Sequence, residues 1–426
     1  DKQKTLNDAV LYANLPMQFA KVDLNHTWLT ENLRPDFQHL MALGDKEHKA
    51  GKQLAKNVIF KKFSIGVQTG RDAWAYNFDA NRLTANLKTT IAFYNAQVSK
   101  WLDADEPKPA VDDLVDYEDA KISWTSSLKQ SVESGLKTRF DQNHIRSCLY
   151  RPFTQQYLYF DTLLTHRRGQ FPWIAPTSDQ EQENRVICHT DKGSEKPFMV
   201  LISRGLVDMH LVGAGSSTQC FPFYIYSEDG QHRQENITGW ALLQFNRYYR
   251  DSSIKKWDIF YYVYGLLHSE EYRQKYAANL RRELPRIPYA SDFWAYSRAG
   301  QQLADLHLNY QQQPEYPLIR IYAPDQPHDW KVRRMRLDKE KTAMTYNDWL
   351  TLSGIPPEAF AYRLGNRSAL EWVIDQYQVK NDPRSGIVND PNRPDDPQFI
   401  VRLIGQIVQI SVETVKTIQE LPPVTA

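Results

Sequence analysis

The spacing of apolar residues along the chain predicts a β-rich middle with helical segments on both sides. Between residues 122 and 226 short apolar runs alternate with Gly and Pro, and they read CLYRPF, QQYLYFD, RVICHT, PFMVLIS, LVDMHLVG and FPFYIYS. Such punctuated runs are typical of short strands in a small sheet or barrel. We therefore expect an α+β fold in which helical segments flank a β-rich central platform.

Apolar residues at helical spacing predict helices before and after the β-rich platform. Before the platform the repeat runs through Leu83, Leu87, Ile91, Tyr94, Val98 and Trp101, as on one face of a helix. After it, helices are predicted in WDIFYYVYGLLHSEEYRQKYAANLRREL up to Pro285, over residues 293–310, in SALEWVIDQYQV and in FIVRLIGQIVQISVETVKTIQEL. The polar stretch DFQHLMALGDKEHKAGKQLAK is a further helix candidate near the start. These signals divide the chain into an opening segment 1–57, a β-rich subdomain 58–240 and a mainly helical subdomain 241–426.

A turn at residues 68–72 is notable for its side chains. Strand-like runs at 58–67 and 73–78 flank the sequence QTGRD, with its glycine at the turn. A tight turn between strands would present Gln68, Thr69 and Arg71 together. Because Gln and Arg are the usual readers of adenine and guanine edges, we expect this turn to be able to enter a DNA groove.

The composition restricts where a nucleic-acid surface can lie. The formal net charge is only +1, so DNA contact must come from local patches rather than from an overall field. The 24 Tyr, 18 Phe and 11 Trp residues supply rings for stacking as well as for a core. Three separated cysteines indicate a reducing compartment, and no apolar run approaches the roughly 20 residues of a membrane span. We expect a cytoplasmic chain without a membrane partner.

Cations lie among aromatic residues in HIRSCLYRPFTQQYLYFDTLLTHRRGQFPW. The Arg fork fits guanine or phosphate, and rings can stack on bases. A solvated basic face over an ordinary core is an equally good interpretation of the same residues. The DNA-contact candidates here are Arg151, His166, Arg167 and Arg168.

A glycine-rich stretch, GAGSS at residues 213–217, follows the strand-like LVDMHLV. A dinucleotide loop would need a third glycine and a following helix, whereas the next residues, QCFPFYIYS, are strand-like. A turn between strands is therefore favoured. If the platform binds DNA, Ser216 and Ser217 would suit phosphate contact, and Arg204 is a further candidate on chemical grounds.

The motifs of catalysis and metal binding are absent from the sequence. Gly44 and the Gly51-Lys52-Gln53 stretch lack the spacing and the hydroxyl of a P-loop. Cys188-His189 and the Asp208, His210 pair are not accompanied by a second tight pair of zinc ligands. There is no G-x-S-x-G elbow, no NPPY or DPPY base-gripping loop and no PD…ExK nuclease centre. We therefore expect no catalytic residue, no metal site and no cofactor within this chain.

Several blocks of the sequence resemble a known family. GVQTGRDAWAYNF, CLYRPF, LPRIPYASDFW, LADLHLNY, LTLSGIPPEAF, SALEWVIDQYQVKNDPRSGIVNDPN and ISVETVK are similar to the C-terminal specificity region of Type ISP restriction–modification enzymes, from about Val58 to the C-terminus. Residues 68–72 match the family's loop and residues 150–153 match its Y-R-P-F block. Shared blocks are as consistent with scaffold as with base contacts.

The resemblance implies a division of labour. Family members carry a nuclease, a helicase-like ATPase and an adenine methyltransferase ahead of the target-recognition region. S-adenosylmethionine, ATP and Mg²⁺ would then belong to upstream domains in cis, and residues 1–57 would be a connector or the tail of the methyltransferase domain. The leading hypothesis is recognition of a double-stranded DNA target. The alternatives are a self-contained nucleic-acid-processing hydrolase and a structural scaffold region of the parent enzyme.

Overall fold

The computed structural model of the chain describes residues 33–49, 57–227 and 230–424. It has the predicted α+β class, with three four-stranded sheets, several two-stranded ones and helices between and around them. No helix within these three ranges is long and apolar enough to cross a bilayer.

Two four-stranded sheets form the β-rich middle. In the first sheet the antiparallel strands follow the order Ser64–Ile65, Thr218–Pro222, Val186–Thr190 and Val200–Ser203. In the second sheet the order is Tyr76–Asn77, Thr154–Tyr159, Ile145–Arg151 and Leu206–Val207, and only the last pair is parallel. The punctuated apolar runs are therefore strands, as predicted.

The hairpin expected around residues 68–72 does not form. Ser64–Ile65 belongs to the first sheet and Tyr76–Asn77 to the second, so the two flanking runs pair with other strands. Between them Asp72–Ala75 makes one turn of helix. The turn is stabilised by its own polar groups, because the Thr69 hydroxyl accepts a hydrogen bond from the Arg71 amide at 3.1 Å and donates one to Asp72.

Four long helices lie in the segments with helical apolar spacing, but the helix predicted to run up to Pro285 ends at His268 and is followed by two short helices. We call the long helices α1 (Ala80–Leu102), α2 (Lys256–His268), α3 (Phe293–Leu308) and α4 (Phe399–Gln419). Besides Asp72–Ala75, the shorter helices are Lys46–Lys49, Val111–Leu114, Ser126–Glu133, Phe171–Ile174, Ser178–Glu183, Gly239–Tyr249, Glu270–Lys275, Ala277–Leu280, Glu358–Ala361 and Ala369–Gln376. Single 3-10 turns occupy Pro35–His39, Gln142–His144 and Tyr310–Gln312.

The polar helix expected over residues 36–56 is wrong for residues 36–45, and of its described part only Lys46–Lys49 is α-helical. The chain instead makes a 3-10 turn, and Met41–Ala42 then pairs as a short strand with Arg286–Ile287. Gly44 packs so closely on Phe63 that a Cβ would lie 2.9 Å from its ring. Burial against the later part of the chain has overridden local helix preference. The rest of that prediction, residues 50–56, lies outside the described residues.

A third sheet lies in the segment after residue 240, where helices were expected to dominate. Its antiparallel strands follow the order Ile319–Tyr322, Leu350–Ser353, Ala343–Thr345 and Arg336–Leu337. The remaining two-stranded pairs are Tyr224–Ile225 with Gln234–Glu235, Arg363–Leu364 with Arg367–Ser368, and Lys380–Asn381 with Val388–Asn389.

One of three hydrophobic clusters in the described residues joins the chain before residue 240 to the helices after it. Phe60, before the first sheet, has its ring 5.4 Å from that of Phe221 in the sheet and 6.2 Å from that of Phe260 in α2. All three side chains are buried in one cluster with residues of α2 and α3. The first sheet and the helices that follow it therefore share a core.

Candidate nucleic-acid interface

Two segments singled out in the sequence lie side by side. The backbones of Gln68 and Arg167 exchange two hydrogen bonds of 2.9 Å, and the His166 amide donates to the Thr69 carbonyl at 3.3 Å. The QTGRD turn and the basic HRR stretch thus form one surface. We call it the turn surface and define it by Gln68, His166, Arg167 and Arg168.

Two candidates from this region, Thr69 and Arg71, are buried. Arg71 is 3% exposed, and its guanidinium donates to the carbonyls of Thr69 (3.0 Å), Ser123 (3.2 Å) and Leu164. It also donates to the Thr125 hydroxyl at 3.0 Å. Burial lowers the pKa of Arg71 to about 10, so the group is still charged at neutral pH. With its donors used inside the protein, Arg71 is placed to hold the turn rather than to read a base.

Replacing Arg71 with Met is therefore expected to lower the free energy of unfolding by about 2 kcal/mol, because buried carbonyls would lose a charged donor. Arg167 is the matched control: it is exposed, and its change to Met should stay within about 0.5 kcal/mol of wild type. Urea unfolding monitored by tryptophan fluorescence measures both. Equal losses in the two variants would contradict the structural role of Arg71.

The other members of the turn surface reach solvent to different degrees, and the Oε1 of Gln68 is buried without a hydrogen-bond partner among the described residues. Arg167 is exposed, and Gln68, His166 and Arg168 are half-buried. The His166 Nδ1 lies 2.8 Å from the Ser127 hydroxyl. Burial, and then Arg167 and Arg71, lower the pKa of His166, so it is neutral at physiological pH. The positive charge of this surface thus comes from the two arginines.

Arg151 is largely buried, although it remains near the turn surface. Its guanidinium pairs with Asp208 at 2.8 Å and lies 3.9 Å from the ring centre of Tyr150. The Tyr150 hydroxyl in turn donates to Asp72 at 3.3 Å. Through Tyr150, Arg151 therefore connects the second sheet to the QTGRD turn. Its charge is balanced by the carboxylate of Asp208.

Ser216, Ser217 and Arg204 lie in different settings. Ser216 is buried, and its hydroxyl accepts from that of Ser194 at 2.7 Å. Ser217 is half-buried, and its carbonyl accepts from the Asp191 amide at 2.7 Å. Arg204 donates to the Leu308 carbonyl at 2.8 Å and to the Asn309 side chain at 2.7 Å. Arg204 thus donates hydrogen bonds to the C-terminal end of α3. It lies away from the other candidate residues.

A group of cations that the sequence did not suggest converges beside Arg151. We call Lys196, Arg367 and Lys380 the basic cluster. The ammonium of Lys196 donates to the carbonyls of Val212 and Ala214 at 2.7 and 2.8 Å, so it sits against the glycine-rich turn. Arg367 and Lys380 share one carboxylate, Asp375, at 2.9 and 3.8 Å.

Arg367 of the basic cluster and the neighbouring Arg151 repel both lysines of the cluster. Burial and then the charges of Arg151 and Arg367 lower the pKa of Lys196. Burial lowers the pKa of Lys380 as well, and Arg151 and Arg367 lower it further against the opposing effect of Asp375. Cations that crowd one another in this way gain stability when an anion lies between them. Arg367 and Lys380 keep 40% and 50% of their side chains exposed, so an anion can approach them.

One sequence signal for the basic cluster exists in hindsight. Arg363 and Arg367 flank the Gly365-Asn366 turn of a short hairpin, and Gly365 has a positive φ of 70°. Arg363 is exposed and Arg367 keeps 40% of its side chain exposed, so both cations of this hairpin reach the surface. Lys196 and Lys380 have no such signal.

Within the described ranges, no group of three or more His, Cys, Asp or Glu side chains is arranged to hold a metal ion. Two exposed cationic areas, the turn surface and the basic cluster, are linked through Arg151 and Tyr150.

Comparison with known proteins defines the class to which this fold belongs. The structure is similar to a nuclease-deletion mutant of the Type ISP restriction–modification enzyme LlaGI in complex with a DNA substrate mimic, with 33% identity, a TM-score of 0.86, and coverage of 99% of this chain and 38% of that chain. It is similar to the DrdV–DNA complex at 32% identity, TM-score 0.86, covering 98% and 42%. The ATP-dependent Type ISP enzyme LlaBIII bound to DNA gives 29% identity, TM-score 0.83, covering 95% and 25%.

The sequence profile of the Type ISP C-terminal specificity domain matches residues 58–403. The chain belongs to this family. It spans less than half the length of each of the three similar chains. A search of curated protein sequences gives no match.

Proposed function

We propose that the chain recognises double-stranded DNA and supplies target specificity to a restriction–modification enzyme. The observation that carries the proposal is the convergence of Lys196, Arg367 and Lys380 beside Arg151, where Arg367 and Lys380 share the carboxylate of Asp375 and burial and the two arginines lower the pKa of both lysines. A protein with a net charge of only +1 has concentrated repelling cations on one exposed surface. A phosphodiester backbone is a ligand that relieves such repulsion.

Two surfaces would then have different tasks. The basic cluster would contact phosphates and set the register of the duplex, whereas the turn surface would present Gln68 and Arg167 to base edges. Membership in the specificity-domain family and the DNA-bound state of the similar enzymes support this assignment.

Under this proposal, the catalytic steps belong to other domains of the parent enzyme. Adenine methylation and ATP-dependent cleavage would be performed in the cytoplasm by methyltransferase, helicase-like and nuclease domains joined in cis. S-adenosylmethionine, ATP and Mg²⁺ would serve those domains, and this chain would contribute no catalytic residue. A self-contained hydrolase and a pure scaffold are not favoured by the family or by the structures that it resembles.

The double substitution Arg367→Gln, Lys380→Gln tests the proposal. We expect affinity for a fluorescein-labelled duplex to fall about tenfold, because two phosphate contacts are lost, and the slope of log K against log salt to fall by about 2 between about 50 and 200 mM salt. Fluorescence anisotropy measures both quantities.

Two controls make the result specific. Asp375→Asn removes the carboxylate that both cations share and should raise affinity for any duplex. Arg247→Gln, Arg298→Gln removes two exposed helical arginines outside the cluster, with the same change in net charge, and should have little effect. An unchanged affinity and salt slope in the Arg367, Lys380 variant would refute the proposal.

A further inference from the structure

A separate pocket opens on the other side of Lys196. It has a volume of about 440 Å³ and lies between the loop after the Val186–Thr190 strand, the helices over residues 270–280 and the Arg363–Leu364 hairpin. The Gly193 amide donates to the Arg281 carbonyl at 2.7 Å and ties the loop to the end of the helices. The walls therefore come from three distant parts of the chain that are fastened together.

Four cations surround this pocket: Lys196, Arg273, Arg281 and Arg363. One carboxylate, that of Asp191, also lines it, and among the described residues none of the four cations has a carboxylate within ion-pair distance. Arg281 and Arg363 are exposed at the rim. The Arg273 Nε donates to the Leu267 carbonyl at 2.6 Å, which holds that guanidinium in place.

The floor of the pocket is apolar and aromatic. Pro197, Phe198 and Leu280 line it, and the Arg273 guanidinium lies 5.6 Å from the centre of the Phe198 ring. Behind Phe198, the buried His189 ring is stacked at 5.7 Å, so the phenyl ring is supported. An apolar floor with convergent charged groups and a volume in the range of about 300 to 1,000 Å³ is typical of small-ligand sites.

The combination fits a particular chemical class. A planar ring can lie against Phe198 and Leu280, since aromatic stacking tolerates any base. A phosphate on the same ligand can reach Arg281 and Arg363, whose forks suit its oxygens. Simple anions would leave the apolar floor uncovered, and neutral ring systems would leave the cations unpaired.

We propose that this pocket binds a nucleotide, with its base against Phe198 and its phosphate at Arg281 and Arg363. The nucleotide has two sources: a free nucleoside phosphate, or one nucleotide unit of a DNA strand turned toward the domain. The first goes beyond the DNA-recognition function, and the second rests on it.

Titration calorimetry on the 426-residue chain tests the site with AMP, ATP, adenosine and inorganic phosphate as probes. For the free source we expect AMP and ATP to bind at least about tenfold more tightly than adenosine or phosphate alone, since each of these lacks one half of the contact. The Arg281→Gln, Arg363→Gln variant should lose about tenfold in AMP and ATP affinity. Phe198→Leu should weaken AMP while leaving phosphate binding unchanged.

The Arg247→Gln, Arg298→Gln variant is the charge-matched control and should bind AMP like wild type. Because Arg281 and Arg363 are exposed, their substitution should leave the unfolding curve unchanged, so a loss of binding reports on the pocket.

The DNA source is tested by anisotropy with labelled single-stranded and duplex DNA. If AMP and ATP fail to bind while Phe198→Leu and Arg281→Gln, Arg363→Gln both weaken DNA, the ligand is a nucleotide of the strand. If neither free nucleotides nor DNA respond to these variants, the proposal is wrong. AMP binding without any DNA binding would refute the DNA-recognition function alone, and the Arg367, Lys380 variant tests that function independently.

Discussion

At about pH 5 the folded chain is expected to be about 4 kcal/mol less stable than at about pH 7 because of two buried histidines alone. His189 is 1% exposed between the rings of Phe198 and Phe221, and burial lowers its pKa to about 4. His307 is 3% exposed, with its two ring nitrogens 2.6 Å from the Tyr264 hydroxyl and 3.0 Å from the Thr414 hydroxyl. Burial lowers the pKa of His307 to about 3.

The sign follows from proton binding. Above about pH 6.5 both histidines are neutral in the folded and the unfolded chain, so they contribute no pH dependence. Below about pH 6.5 the two histidines bind protons in the unfolded chain but stay neutral in the folded chain. The free energy of unfolding therefore falls as the pH falls, until the pH reaches the pKa values of the folded chain. The loss for each residue is about 2 kcal/mol by about pH 5.

Urea unfolding at the two pH values measures the effect in wild type and in His189→Gln, His307→Gln. The quantity to compare is the difference in unfolding free energy between the two pH values, which is independent of how much each variant is destabilised overall. The double variant should lose about 4 kcal/mol of this difference, while the contribution of His268, a third buried histidine whose pKa is lowered by burial, should remain. His232 is exposed, and His232→Gln should retain all of it; an equal pH dependence in wild type and the double variant would contradict the prediction.

Replacing Gly300 with Ala should lower the free energy of unfolding by about 3 kcal/mol or more, because the crossing of α2 and α3 leaves no room for a methyl group. A Cβ on Gly300 would lie 1.8 Å from the Tyr261 carbonyl oxygen and 2.8 Å from the Gly265 nitrogen. On the other helix, a Cβ on Gly265 would lie 2.4 Å from the Tyr296 carbonyl oxygen. The obstacle is backbone on both sides, so the helices themselves would have to separate.

Helix propensity predicts the opposite sign, since Ala is better than Gly inside a helix by about 1 kcal/mol. Gly239, at the start of the helix Gly239–Tyr249, is the matched control, because a Cβ there would meet nothing within 4 Å. Gly239→Ala should be neutral or slightly stabilising. Thermal and urea unfolding of the two variants decide the matter, and a Gly300→Ala protein as stable as wild type would show that the helices do not pack this closely.

The strands of the first two sheets could be predicted from the sequence because each is a short apolar run bounded by Gly or Pro. The third sheet could not. In Leu350–Ser353 only Leu350 and Leu352 face the core, and its partner Ile319–Tyr322 leaves Ile319 61% exposed. Strands of this kind contain too few buried residues for an alternation of apolar and polar residues to be recognised in the sequence.

The candidate interface was only partly predictable, for a physical reason that Arg71 and Arg167 illustrate. Both are arginines in polar surroundings of the sequence, yet one is buried on backbone carbonyls and the other is exposed. The difference arises because the Arg71 side chain lies against Ser123, Thr125 and Leu164, which are distant in the sequence, and local sequence does not encode those contacts. The basic cluster was missed for the same reason, since Lys196, Arg367 and Lys380 come from separate segments.

The core shared across residue 240 bears on how a chain of this kind can acquire a new target. Phe60 lies between Phe221 and Phe260, and Met41–Ala42 pairs with Arg286–Ile287. A chimaera that takes residues 58–240 from a relative would bring foreign side chains into half of one core and leave the other half unchanged. A second core joins the second sheet to the residues after α3, because Phe153 packs against Tyr310 and Tyr362 in one cluster with residues of α4. Exchange of specificity, in the laboratory or by recombination, should therefore succeed when the region from the Met41–Ala42 strand to the end of α4 is moved as one piece, or when new side chains are grafted only on the exposed turn surface.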